Sequence, residues 1–348
     1  MSLVDSRMLA LRSGSNLYKN EYRPSRYGAL DVFMVQDKQA GGIITQEMRD
    51  KAKASNGRTL EYPVIDFDGS IQIGSARTVT IQDSENTSHM VSVTFVPYTF
   101  GFTQTPAMFM NNEIQLQEDF DVKMKKFIYK LAEVLDTTAL SVLSAAKTAV
   151  FESLLTYQNV GNTVVCPWTN RDTFLSDLNV MMEANDYPGQ LHVVGNPGLQ
   201  SILTKLGEFG VYNAQNKQLE YLNKIMHYTN RATNASGKFA TGYAIGEAQL
   251  GILNRVERES ILGTRTADGH VWGIDTLPLL NLEVGTYSYE AVVDANAIAG
   301  AATADMTRAR KQYFGFAVDL AFMTPYISDP SSMANPIIKF AIGAENAS

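Results

Sequence analysis

The residues of this chain best suited to covalent chemistry are Cys166, His192 and the carboxylates Asp172 and Asp177. A thiol, an imidazole base and an acid to orient the base would serve acyl transfer through a covalent intermediate, once brought within hydrogen-bond reach. Nothing in their spacing brings them together. Cys166 stands between Val165 and Pro167, an apolar setting in which a free cysteine is usually a small core residue. His192 lies in the apolar run Leu191 to Val194, which reads as a packed strand.

Metal and phosphate chemistry have still less to work with. Asp66 and Asp68 before Gly69 lack the spacing and terminal glutamate of a calcium loop and read as a β-turn. The four histidines, His89, His192, His227 and His270, have no zinc spacing, and His270 beside Gly269 reads as an exposed turn residue. There is no GxxxxGK[ST] loop, no GxGxxG after a strand, no HExxH and no GxSxG elbow. The sequons at Asn86, Asn234 and Asn346 follow no signal peptide and read as chance. The expectation is therefore no catalytic residue, no cofactor-binding residue, no metal ligand and no enzymatic activity.

Composition narrows the class further. The chain has 348 residues, 29 basic and 36 acidic side chains, a net charge of -7 and one cysteine. An acidic total argues against broad nucleic-acid affinity, and one cysteine forms no intrachain disulfide. No run reaches the roughly 18 apolar residues of a membrane span. The exception to the acidity is the start, where Arg7, Arg12, Lys19, Arg23 and Arg26 interleave with Tyr18, Tyr22 and Tyr27. This segment reads as a solvated or partner-packed arm.

The elements that follow are uneven in kind. From Gly41 to Met90 the pattern is period two, with Ile71, Ile73, Val79 and Ile81 alternating with polar neighbours, and predicts an extended β-hairpin with too little apolar complement to bury itself. From Glu113 to Phe151 neither Pro nor Gly occurs. Phe120, Met124, Phe127, Ile128, Leu131, Val134, Leu135, Val142 and Leu143 recur there in steps of three and four, which predicts one very long amphipathic helix. Its acidic start suits the helix dipole, and Asp119 with Lys123 and Asp121 with Lys125 are spaced for i,i+4 pairs. Beyond a break at Gly161 to Pro167, helices are expected over Thr169–Asn185, capped by Thr169 or Asn170, and Leu199–Leu206, with a strand over Leu191–Val194 between them. Gly207 to Gly237 reads as loop and short helix. Strands are expected over Phe239–Leu253, Val271–Leu282, Phe314–Tyr326 and Pro336–Ile342, and Ala291 to Ala304 reads as loop or weak helix.

This order of parts resembles the tailed-bacteriophage major capsid protein family, which has the Hong Kong 97 capsid fold. The resemblance is carried by the spine-like run Gln117 to Leu140, the strand, turn and helix from His192 through Asn196-Pro197 to Leu203, the stretch Gly242 to Leu253, and the closing segments Phe314 to Phe322 and Pro336 to Phe340. It implies an α+β chain with an N-terminal arm over residues 1–40 and an extended E-loop hairpin over 41–95. A peripheral domain with the spine helix would take 96–160 plus 320–348, and a mixed α/β axial domain 161–319. It further implies a structural coat subunit that self-assembles as hexamers and pentamers of an icosahedral phage head around double-stranded DNA, which it touches weakly and without sequence preference. A separate scaffolding protein and a portal would be partners, no membrane would be involved, and assembly in the bacterial host cytoplasm would end in the virion. Lys51 and Lys53, in the expected hairpin, read as ordinary surface charges. The alternatives are an encapsulin-like compartment shell and, from another class, an intracellular enzyme of unrecognised α/β fold.

Overall fold

A computed structural model describes residues 3–13, 27–39, 41–55, 57–66, 87–109, 113–147, 157–185, 187, 189–209, 218–219, 224–263, 266, 269–294, 308–327 and 336–344. The chain is α+β, with its helices distributed around two sheets and a separate hairpin.

The long helix forms as its periodicity predicts, over Glu113–Ala146. At about 1.5 Å per residue its 34 residues span about 51 Å. It is the fourth helix, after α1 (Leu3–Ser13), α2 (Gly28–Gln36) and α3 (Gln46–Ala54), and is called α4. Leu116, Phe120, Met124, Ile128, Leu131, Leu135, Ala139 and Leu143 form its buried stripe, while Val134, expected on that stripe, is 42% exposed. Asp119 accepts from Lys123 at 2.6 Å as the spacing predicts. Asp121 instead accepts from the Gln117 amide at 2.6 Å.

The first half of α4 lies under an antiparallel sheet organised by the long strand β13 (Arg308–Met323). One edge of β13 pairs with β12 (Leu282–Asp294), which pairs with β11 (Val271–Leu277). Further along that same edge β13 pairs with β10 (Gly251–Arg255), and its other edge pairs with β3 (Val96–Gln104). Phe314, Phe316, Val318 and Leu320 alternate down β13 onto the helix. Their rings join Phe100, Phe102, Phe120 and Phe127 in an edge-and-stack cluster, for example Phe100 to Phe316 at 5.0 Å between centroids.

The second half of α4 reaches a mixed seven-stranded sheet. Its strands run in the order β4 (Gln158–Asn159), β5 (Val164–Cys166), β14 (Ile337–Gly343), β9 (Lys238–Ile245), β6 (Leu191–Gly195), β8 (Lys224–Tyr228) and β7 (Gln218–Leu219). One face is covered by α5 (Phe174–Ala184) and α6 (Pro197–Phe209), the other by α2 and the end of α4. Burial on both faces explains why β6 and β14 read as continuous apolar runs rather than alternating ones.

Several sequence expectations are corrected. The described start of the chain is not a solvated arm: Val4, Met8 and Leu11 of α1 join the core beneath the first half of α4, and Leu30, Val32 and Phe33 of α2 are fully buried. Arg7 donates to Gln117 of α4 at 3.1 Å. Residues 14–26 lie outside the described residues. The stretch expected to be extended opens with α3, whose N-cap Thr45 accepts from Met48 N. The hairpin proper is β1 (Thr59–Asp66) paired with β2 (Thr87–Thr94), and Ile71, Ile73, Val79 and Ile81 lie outside the described residues. The break after Gly161 is a tight turn between β4 and β5, with Gly161 and Asn162 both at positive φ, as a type I′ hairpin turn requires. The helix expected from Thr169 begins at Phe174, after a 3₁₀ turn over Trp168–Asn170, and no side chain caps it. Gly207–Gly237 contains β8, and Ala291–Asp294 continues β12. The sheets also divide the chain otherwise than a boundary at 319/320: strands of 251–323 sit with β3 on the first half of α4, and β14 sits between β5 and β9.

Candidate functional site

The residues that sequence reasoning grouped as a possible nucleophilic site are kept apart by the sheet. Cys166 on β5 and His192 on β6 have β14 and β9 between them, three strand spacings or about 14 Å. The Cys166 thiol is buried and donates to the Pro167 carbonyl at 3.2 Å, and burial, then the nearby Asp177 carboxylate, pushes its pKa up to about 12. Asp177 accepts from the Tyr157 hydroxyl at 2.5 Å, and Asp172 pairs with Arg171 at 3.3 Å. The thiol is thus inert, with its carboxylate and imidazole engaged elsewhere.

His192 belongs to a different constellation. Its Nδ1 lies 3.0 Å from Nε2 of His227 on the adjacent parallel strand β8, and Nδ1 of His227 lies 2.8 Å from Asp31 of α2. On the other side, Nε2 of His192 lies 3.3 Å from the Gln39 amide nitrogen. The Gln39 oxygen accepts from Ala248 N at 3.0 Å, so the amide nitrogen facing His192 is a donor only. That fixes the chain of protons: Gln39 donates to His192, His192 to His227 and His227 to Asp31. An added proton on His192 would point its Nε2–H at the Gln39 N–H. Burial first, then His227, lowers the His192 pKa to about 4, against a raising influence from Asp31.

At the other end of α2's first turn, a buried carboxylate of α4 does the work of a helix cap. Asp136 is fully buried on α4, and its Oδ1 accepts from Ala29 N at 2.9 Å and Leu30 N at 3.1 Å, while Oδ2 accepts from Thr229 at 2.6 Å. Tyr27, at the N-cap position of α2, makes no side-chain cap bond, so the free N–H groups of the first helical turn are satisfied by a residue more than 100 positions away. Arg231 stands 3.6 Å from Asp136 and 3.2 Å from Glu133, with its guanidinium over the Tyr27 ring at 5.1 Å. Burial raises the Asp136 pKa, with Thr229, Leu30, Arg231 and Ala29 each opposing. Gly28 permits the close approach, since a Cβ there would sit 2.6 Å from the Tyr228 backbone. The C-terminal end of α2 is held by Gln36, which donates to Gly246 O and accepts from Gln249 N and Leu250 N. Chemically, this polar seam holds α2 against the sheet; it presents no nucleophile.

The remaining predicted positions are accounted for in the same way. Asn234 donates to Phe239 O and accepts from Asn196 and Thr241, so its amide is occupied within the fold. His270 is half-buried, not a free turn residue, and its Nδ1 lies 2.5 Å from the Tyr287 hydroxyl in a row of rings with Trp272, Tyr289 and Tyr313. Lys51 donates to Glu61 O of β1 at 2.7 Å, tying α3 to the hairpin base, and Lys53 pairs with Glu283 of β12 at 3.5 Å. Asn86, Asp68 and Asn346 lie outside the described residues. Sequence reasoning missed Asp31, Asp136 and His227; an acid at 136 between Ala132 and Leu140 on the apolar face of α4 was the one available signal.

The outer surface is the other candidate. The face of the five-stranded sheet away from α4 carries Trp272, Ile274, Tyr287, Tyr289 and Tyr313, and the short helix α7 (Arg258–Leu262) covers only part of it. Ile261, Leu262 and Ile274 are 46%, 63% and 43% exposed. The hairpin is anchored at its base, where Leu60, Val93 and Phe95 pack on Ala52, Leu253 and Ala321; further along β2 the His89 ring lies 6.3 Å from that of Tyr326 and Met90 is 58% exposed.

No family model and no curated protein matches this sequence. Solved structures do. The chain is similar to structures from bacteriophages. One, from Mycobacterium phage Che8, is 9% identical with a TM-score of 0.45 and covers 87% of this chain and 92% of its own. The capsid structure of the cyanophage P-SCSP1u is 11% identical with a TM-score of 0.44, covering 94% and 100%. The capsid of Ralstonia phage GP4 is 9% identical with a TM-score of 0.42, covering 86% and 87%.

Proposed function

We propose that this chain is the major capsid protein of a tailed bacteriophage, a structural subunit with no enzymatic role that assembles with copies of itself into an icosahedral head around double-stranded DNA. The observation that carries this reading is the combination, in one chain, of a 34-residue helix shared by two sheets and a hairpin that leaves its own core. Isolated two-stranded hairpins are marginal in water, and the described part of this one leaves Pro63 and Met90 exposed beyond its anchored base, positions that neighbouring molecules would cover. α4 likewise leaves Ile114, Val122 and Val134 at 72%, 53% and 42% exposure. Repeated contacts between subunits would cover such positions, which singly exposed side chains of a free monomer would not need.

In the terms of the Hong Kong 97 fold, the hairpin would be the E-loop, α4 with the five-stranded sheet the peripheral domain, and the seven-stranded sheet with α5 and α6 the axial domain. Hexamers and pentamers of the chain would form the shell, with a separate scaffolding protein and a portal as partners. Its place would be the virion, after assembly in the host cytoplasm.

Electron microscopy of the expressed protein, alone and with a co-expressed scaffold, tests the reading: closed shells are expected, and a persistent monomer under both conditions would refute it. Packaged DNA in particles from infected cells, rather than an enclosed enzyme, is the expected content. The hairpin can be tested separately. Asp66 and Thr87 are Cα partners, so residues 67–86 can be replaced by a two-residue Asn-Gly turn without touching Ala52 or Leu60 of the anchoring cluster. The shortened chain is expected to fold and to fail to form shells; normal shells would contradict the assignment of the hairpin as an inter-subunit arm.

A further inference from the structure

Six charged side chains, Arg58, Arg255, Glu257, Arg258, Glu259 and Asp319, surround a cavity of about 310 Å³ where the hairpin base meets the outer face of the five-stranded sheet. Arg255 and Asp319 form its floor: they are Cα partners across β10 and β13 and only 5% and 9% exposed. The other four stand exposed at the rim.

Among the described residues none of the six is in an ion pair within 4.0 Å, although Asp37, Asp119 and Glu133 all find cations. Arg255 donates one bond to Gly57 O, while its buried Nε has no partner. Burial raises the Asp319 pKa, opposed by Arg255 and Arg58 and reinforced by Glu257. Charges held in a partly desolvated cavity without pairing are costly, and that cost is offset when opposite charges arrive from outside.

The signs decide what can arrive. Three cations and three anions in one patch repel an ion of either sign as much as they attract it. The same balance lets the patch face a second copy of itself, because a two-fold axis that passes between its cations and its anions sets each against the opposite charge of the other copy. We propose that this patch is a like-to-like contact between two copies of the chain about a two-fold axis, a contact that rests on the shell reading for the presence of the second copy.

Two variants confined to the exposed rim test it: R58E/R258E makes the rim acidic, and E257K/E259K makes it basic. Association of the full chain is followed by sedimentation velocity and electron microscopy at low and high salt, with circular dichroism to verify folding. The wild type is expected to associate at low salt and less so at high salt. Each variant alone should need about tenfold more protein to associate, and a one-to-one mixture of the two should return to the wild-type value or below it. Wild-type association in either variant alone, or a mixture no better than its components, overturns the contact. So does one variant strengthening while the other weakens, the mark of a contact with a different patch. Normal shells from both variants would overturn this contact and leave the capsid reading standing; a wild-type chain that stays monomeric at low salt overturns the contact, and only one that also stays monomeric with a co-expressed scaffold overturns both.

Discussion

Acid should loosen the joint between α2 and the seven-stranded sheet, and the His192 ring sets where. In the folded chain its pKa is lowered to about 4 from the ordinary 6.5, so as the pH falls below 6.5 the unfolded chain takes up a proton that the native one refuses until near 4. Stability is therefore lost over the window from 6.5 down to 4 and is fully present above it. Each pH unit across that window is worth about 1.4 kcal/mol, a total of about 3 kcal/mol from this one side chain. The groups facing it are His227 on β8, Gln39 after α2 and, through His227, Asp31; Asp31 alone would favour protonation, and burial outweighs it. The assay is urea denaturation of unassembled subunit at a series of pH values, for the wild type and for His192→Gln. Gln keeps a donor for His227 and does not titrate. The variant is expected to be less stable at pH 8, because ring packing is lost, but its stability should fall by about 3 kcal/mol less between pH 6.5 and 4. Carboxylates common to both proteins cancel in that difference. Parallel curves would refute the argument, since they would mean that His192 takes up its proton equally in both states.

Two further perturbations probe the same body. Asp136→Ala strands the N–H groups of Ala29 and Leu30 and the Thr229 hydroxyl and leaves Arg231 to Glu133 alone, and should cost about 3–5 kcal/mol in denaturant titration. Asp136→Asn keeps the oxygen that caps α2 and should cost only about 1 kcal/mol; equal losses would mean that the charge, not the cap, is what matters. Cys166 should resist an aromatic disulfide reagent at pH 8 in the native protein and react fully in denaturant, because its thiol is buried with a pKa near 12; rapid native labelling would contradict the packing of β5.

Local periodicity carried a large part of the fold. The stripe of α4, the apolar run of β6 and the alternation in β13 were legible because each element's pattern is set by a face that its own neighbours in sequence define. Where burial came from distant chain, the same logic failed. α2 shows little amphipathic contrast because it is buried widely, and its first turn is capped from α4 rather than by its own N-cap residue. β8 was hidden because Lys224 and His227 look like solvent residues. In the fold they are buried, Lys224 donating to Asn179 at 2.7 Å and His227 bound between His192 and Asp31. The candidate nucleophilic group shows the converse: three suitable residue types in one stretch of sequence, separated by two intervening strands.

Sequence alone was sufficient for the α+β class, the single long helix, the hairpin and the lack of a recognisable catalytic motif, all of which depend on residue type and short-range spacing. Tertiary structure decided the pairings. It determined that β13 joins β12 and β10 on one edge and β3 on the other, that β14 enters between β5 and β9, and that Asp31, His192, His227 and Gln39 meet. It also determined that three cations and three anions share one surface. The physical reason is that helix and strand propensities are local, whereas desolvation and hydrogen-bond satisfaction depend on what the rest of the chain brings alongside.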